Sequence, residues 1–138
     1  MAKKRISIKS AKAKARKLQD WVAEQVSIII GIPWGKDEQI APREMGQSGV
    51  DIRLIATAKK LFPWSVECKW QETWSIPSWI KQAKKNQIED TDWLLVCRKS
   101  HDKPVVIMDA GVFFKIYQRI IGDDPNDPAT WEDTRGEK

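Results

Sequence analysis

The sequence predicts a small α/β domain built on a central mixed β-sheet flanked by helices. Three observations predict it. Apolar residues recur at three- and four-residue steps between Ser10 and Gly31 and again after Asp109, the spacing of a helix that buries one face. Two short runs, Val50–Leu54 and Ser65–Trp70, alternate in polarity with period two, as half-buried strands do. Two further runs are strand-like: Trp93–Cys97 is continuously apolar, as expected inside a covered sheet, and Pro104–Met108 reads as another strand. The order helix, strands, helix, strand, strand, helix belongs to an α/β layer architecture. At 138 residues the chain is long enough for one hydrophobic core and short for two.

Taken in order, residues 1–9 read as a flexible basic arm, residues 10–122 as a single domain and residues 123–138 as an acidic flexible tail. Ser10 is the expected N-cap of the first helix and Gly31 its stop, with Leu18, Trp21, Val22, Val26 and Ile29 on the buried stripe. Gly31–Gly35 is a turn, and residues 39–45 read as a first strand or an extended lead-in, with Pro42 arguing for an edge. Gly46 and Gly49 bracket Gln47 and Ser48, where a glycine backbone can turn sharply. The alternating runs are expected to pair as a hairpin through Ala58-Lys59-Lys60. That pairing would place Asp51 with Arg53 on one face, and Ser65, Glu67 and Lys69 opposite Val66, Cys68 and Trp70. Ser75 followed by Pro77 signals a helix start. In that helix Trp79, Ile80 and Ala83 are inward, Gln82 lies at the edge of the buried side, and Lys81, Lys84 and Lys85 form a basic rim. In the last helix Asp109 is the cap, Val112, Phe113, Ile116, Tyr117 and Ile120 face inward, and Gly122 is the end.

Composition narrows the function classes. The net charge is +5 and uneven: residues 1–17 carry eight Lys or Arg and no acid, while residues 122–138 carry a net −4. A basic body suits a polyanion such as nucleic acid, although a solvated basic arm kept for solubility has the same composition. The eight tryptophans are many for this length. Trp34, Trp64, Trp74 and Trp131 sit beside turn residues, where an aromatic ring either completes the core or stacks on an unpaired base. No apolar run reaches membrane-spanning length and no signal-peptide pattern follows the basic start, so a cytoplasmic protein is expected. Cys68 and Cys97 lie in apolar strand-like runs and read as buried thiols. With His101 as the single histidine, a zinc or histidine-metal centre lacks ligands.

The chemistry concentrates between Arg43 and Lys69. An acid, any residue, then lysine is a weak pattern, which chance alone supplies about twice in a chain of this composition. This chain has it once, as Glu67-Cys68-Lys69, and its weight comes from context. The match lies on a strand with both charges on one face, and Asp51 comes from a preceding strand. A charged outer face of an edge strand would share the first of these properties. Two carboxylates can hold Mg²⁺, which keeps several waters and needs few protein ligands. A neighbouring lysine can position a metal-bound water or neutralise charge on a phosphate.

Asp51 followed by Glu67-Cys68-Lys69 resembles the core of the PD-(D/E)XK nuclease superfamily. The stretch from Arg43 through Gly46 to Val50-Asp51-Ile52 is most similar to the archaeal-type Holliday-junction resolvases and their phage-encoded relatives. The resemblance spans roughly residues 9–98, and its centre is the specific part. It implies a small restriction-endonuclease-like core and a Mg²⁺-dependent endonuclease, with Mn²⁺ as a possible substitute. It implies Asp51, Glu67 and the Cys68 carbonyl as metal ligands, Lys69 as the group that positions the attacking water, and Gln82 in support. An acid from the first helix joins some such sites, and Glu24 and Asp20 are the candidates here. Arg43, Gln47 or Ser48, Lys81, Lys84 and Lys85 become candidate DNA contacts. The implied reaction is in-line attack leaving a 5′-phosphate and a 3′-hydroxyl. The implied substrate is branched DNA, four-way junctions first, and the implied assembly is a homodimer, in the host cytoplasm if the chain is phage-encoded. A nickase, a flap-cutting or a restriction-type nuclease would use the same core. A nucleic-acid-binding module without chemistry is the reading from another class.

Overall fold

The computed structural model describes residues 7–44 and 46–122. The first six residues of the basic arm, Met45 and the acidic stretch from 123 onward, Trp131 included, lie outside the described residues. The fold is mixed α/β, as the periodicities predict.

Helix α1 (Ile8–Ile30) starts earlier than its expected cap. Ser7 is the N-cap and its Oγ accepts from the Ser10 amide at 3.1 Å. The Ala- and Lys-rich residues behind it are strong helix formers, so nothing halts the helix at Ser10. Its C-terminus is at Gly31, in the left-handed conformation at φ 71°, whose amide reaches the Ser27 carbonyl at 2.8 Å. The buried face is Leu18, Val22, Ala23 and Val26. It is narrower than expected: Trp21 and Ile29 stand on its flanks and are exposed.

Strand β1 (Ile40–Pro42) pairs antiparallel with β2 (Ile52–Leu54), with Ile40 opposite Leu54 and Pro42 opposite Ile52. Pro42 is the last residue of β1, where a missing amide donor is tolerated. The expected hairpin through Ala58-Lys59-Lys60 is not formed. Ala56–Leu61 instead makes a short helix, α2, with Ala58 fully buried. The segment has no Gly, Asn or Asp to form a tight hairpin turn, and its alanines, lysines and leucine favour a helical turn.

Strand β3 (Trp64–Trp70) lies parallel to β4 (Asp92–Arg98), from Trp64 opposite Asp92 to Trp70 opposite Arg98. The crossover is helix α3 (Ile76–Asn86), with Pro77 in its first turn. Strand β5 (Val105–Met108) lies on the far side of β4. The two faces of this sheet carry two cores. Val66, Cys68 and Val96 pack with Leu18, Val22 and Val26 of α1 and with Ile40, Ile52 and Leu54. Leu95 and Cys97 pack with Trp79 and Ala83 of α3, joined by Trp93. The alternation read in Ser65–Trp70 therefore decides which residues meet α1 and which meet α3.

The chain divides into two compact units after Ile107. In the second, helix α4 (Ala110–Gly122) begins where Asp109 Oδ1 accepts from the Val112 amide at 3.1 Å, the expected cap. Its expected inward face is not buried: Phe113 and Tyr117 are about half exposed, Ile120 is 73% exposed, and no residue of α4 is buried. Cap and periodicity make the helix, but they do not specify what covers it. Among the described residues, no helix is long and apolar enough to cross a membrane.

Candidate active site

Asp51 and Glu67 converge although β2 and β3 share no ladder. One edge of β3 is taken by β4, and the other receives Asp51. The Asp51 amide donates to the Val66 carbonyl at 2.9 Å, and its Oδ2 accepts from the Cys68 amide at 2.7 Å. Amide and carbonyl of one strand residue point to the same side, so the Cys68 carbonyl is directed toward this edge as well. The Cys68 thiol belongs to the core on the α1 face, and burial pushes its pKa well up. The backbone of this residue, not its sulfur, is what the site can use.

Arg43 holds the loop that delivers Asp51. Its amide donates to the Asp51 carbonyl at 2.7 Å, its Nη2 to Asp51 Oδ1 at 2.8 Å and its Nη1 to the Gln47 carbonyl. Between these anchors, Gly46 and Gly49 take φ values of 84° and 105°, which only glycine adopts cheaply. The expected glycine turn is therefore present. Arg43, a candidate DNA contact in the sequence, is paired with an acid here.

Glu67 is 2% exposed and faces α3. Its Oε1 accepts from Asn86 Nδ2 at 2.8 Å. Burial, then the negative charge of Asp51, push its pKa up from 4.5 to about 7, while the Asn86 bond and the Lys69 charge pull the other way. The two acids are thus close enough to raise the cost of ionising both. Lys69, two residues along β3, is half-buried on the same strand face as Glu67.

These groups open into a cavity of about 470 Å³ lined by Asp51, Glu67, Lys69, Trp70, Gln82 and, from α1, Lys14 and Gln19. Gln82 lines it from an exposed position. The α3 side chain that bonds Glu67 is Asn86, one turn further on the same helix face. Sequence reasoning missed it; the signal was its i+4 spacing from Gln82. Glu24 is exposed and does not line this cavity, and Asp20 borders a neighbouring one. Helix α1 brings Lys14 and Gln19 instead of an acid, because residues 14, 15 and 19 lie on the side of the helix turned to β3. Glu72 is engaged by the Ser100 amide at 2.9 Å. Gln47 and Ser48 line a larger cavity of about 780 Å³ with Arg16, Trp34, Lys36 and Arg53. Lys81, Lys84 and Lys85 are exposed on α3, with Lys84 over the Trp93 ring at 5.9 Å. Trp34, Trp64 and Trp74 are half-buried against the two cores.

Among the described residues, no three His, Cys, Asp or Glu side chains form a metal-binding group. The donors at the β3 edge are two carboxylates and a backbone carbonyl, all oxygen. That set is too poor for zinc and suits a hard ion that retains its waters. The mutual charge of two buried acids is what a divalent cation would relieve. No protein-family model, curated protein or solved structure matches the chain.

Proposed function

We propose that this chain is a Mg²⁺-dependent DNA endonuclease of the PD-(D/E)XK type. The observation that carries the reading is the meeting of Asp51 and Glu67 at one strand edge, inside a cavity that also holds Lys69. Buried like charges cost stability in the free protein, a cost that a bound cation would offset, and acids facing a phosphate serve no purpose in a pure binder. Asp51, Glu67 and the Cys68 carbonyl would hold the ion, with Mn²⁺ able to replace it. The bound ion supplies Lewis-acid stabilisation of the phosphate and an acidified water. Lys69 places a positive charge beside that phosphate and orients the attacking water. Asn86 keeps the Glu67 carboxylate aimed, and Gln82 borders the same space. Lys14 stands on the cavity wall, and Lys81, Lys84 and Lys85, exposed on α3, are further proposed contacts for the DNA backbone. Branched DNA, four-way junctions first, is the proposed substrate, and a homodimer the proposed assembly, since a junction needs two cuts.

The test is a panel of end-labelled DNAs: a four-way junction, a flap, a linear duplex and a single strand. Each is incubated with Mg²⁺ or EDTA and with wild type or Lys69→Ala. The proposal expects Mg²⁺-dependent paired cuts in the junction, lost in the variant. Cuts in every DNA would remove the junction preference and keep the nuclease. Salt-sensitive binding with no cutting under Mg²⁺ or Mn²⁺ would replace it by a binding module.

A further inference from the structure

The proposed metal ligand Asp51 already has a cation. Its Oδ2 is taken by the Cys68 amide and its Oδ1 by Arg43 at 2.8 Å. We propose that Arg43 is a resident counter-cation that competes with the metal for Asp51 and so sets the metal affinity of the free protein. The inference rests on the metal-site reading above and adds to it a residue that opposes loading.

Four observations carry it. The two bonds to Asp51 differ in kind: the Cys68 amide is fixed in β3, whereas Arg43 reaches Oδ1 on a flexible side chain that can leave. Arg43 is also incompletely satisfied where it lies. Its Nε is buried with no hydrogen-bond partner, so the pair with Asp51 and the Nη1 bond to the Gln47 carbonyl hold the guanidinium without full donor satisfaction. Space to leave is present on three sides. Arg43 borders the 470 Å³ cavity at Asp51, the 780 Å³ cavity with Gln47 and Ser48, and a 160 Å³ cavity with Lys12 and Arg16. Finally, the charges are apportioned. Lys69 lies two residues from Glu67 on the same strand face, and Arg43 is paired with Asp51. A divalent ion held by Asp51 would find the Arg43 guanidinium at contact distance from that carboxylate, and the two cations would repel. Loading therefore breaks the Arg43–Asp51 pair. Once free, Arg43 carries its charge into the cavities beside the loop, where a phosphate would find it.

A loop clamp with no bearing on the metal makes the opposite prediction, because losing the clamp would loosen Asp51 and weaken binding. The full chain is titrated with Mn²⁺ alone, free ion being read by electron paramagnetic resonance, for wild type, Arg43→Gln and Arg43→Lys. Melting temperatures are recorded with and without the ion. The competition predicts that Arg43→Gln binds Mn²⁺ about tenfold more tightly than wild type. It also predicts a lower metal-free melting temperature for that variant and a larger rise on adding Mn²⁺. Arg43→Lys keeps the charge and stays near wild-type affinity. Equal or weaker binding by a folded Arg43→Gln would overturn the competition and leave a clamp. A readout free of mutation guards against misfolding. In ¹⁵N-labelled wild type, Mg²⁺ should shift the Arg43 Nε–H resonance and quicken its exchange with water; no change at saturating Mg²⁺ would overturn the inference. Absence of Mn²⁺ binding by both wild type and Arg43→Gln would instead overturn the metal-site reading on which it rests.

Discussion

At the scale of single residues, the site depends on how two acids share a small volume. Glu67 has a folded pKa of about 7 against an ordinary 4.5, so the folded chain holds its proton more tightly than the unfolded one. Its contribution to stability is fully present below about pH 4.5 and is lost as pH rises through about 7. Glu67→Gln, which keeps shape and hydrogen bonding, should flatten the metal-free stability profile across that window, measured by urea melts at pH 5 and pH 8. A metal ligand must be deprotonated, so cleavage at subsaturating Mg²⁺ should rise as the pH passes about 7. Asn86 bonds Glu67 and favours its charged form. Asn86→Ala should therefore move that rise to higher pH and cost about 1 kcal/mol of stability, both readable in a pH–rate profile and a chemical melt. Glu67 and Lys69 were legible in the sequence because period-two alternation fixes which residues of one strand share a face, whereas Asp51 joins them by two hydrogen bonds to β3 and not by the expected hairpin. Asn86 and the Arg43–Asp51 pair were not, since they depend on which helical turn reaches the sheet and on how a loop closes.

At the scale of elements, local chemistry decided more than the pattern implied. The alternating runs are strands, yet the residues between them are helical, so Asp51 reaches β3 by two hydrogen bonds and not through a hairpin ladder. The convergence survives because the donors at the β3 edge are backbone groups, which any route to that edge can satisfy. Helix α1 shows the same interplay. Its stop at Gly31 was readable, while its start at Ser7 was not, because Ser7 and Ser10 both have capping side chains and the residues after each are equally helical. Two substitutions measure these ends. Gly31→Ala has room for its Cβ but must hold φ 71°, and Ser7→Ala loses the bond to the Ser10 amide. Each should destabilise by about 1 kcal/mol in chemical denaturation, and the two effects should add.

At the scale of the whole molecule, the α/β class and the order of elements, α2 apart, followed from the sequence, because helix and strand periods differ sharply. The burial of α4 did not follow, since an amphipathic helix states that it has an apolar face and not where a partner lies. Asp51 and Glu67 lie between the α1 and α3 faces of the β3 edge, where the core on the α1 face fixes one wall and Asn86 the other. The central claim is that this pair of acids performs Mg²⁺-dependent hydrolysis of DNA. The most direct measurement compares wild type with Asp51→Asn on one labelled four-way junction, following binding in Ca²⁺ and strand cutting in Mg²⁺. The account predicts equal binding, 5′-phosphate and 3′-hydroxyl ends from wild type, and cutting by the variant slower by about 100-fold or more. Cutting by Asp51→Asn at the wild-type rate, or a wild type that binds the junction and leaves it whole in Mg²⁺, would contradict it.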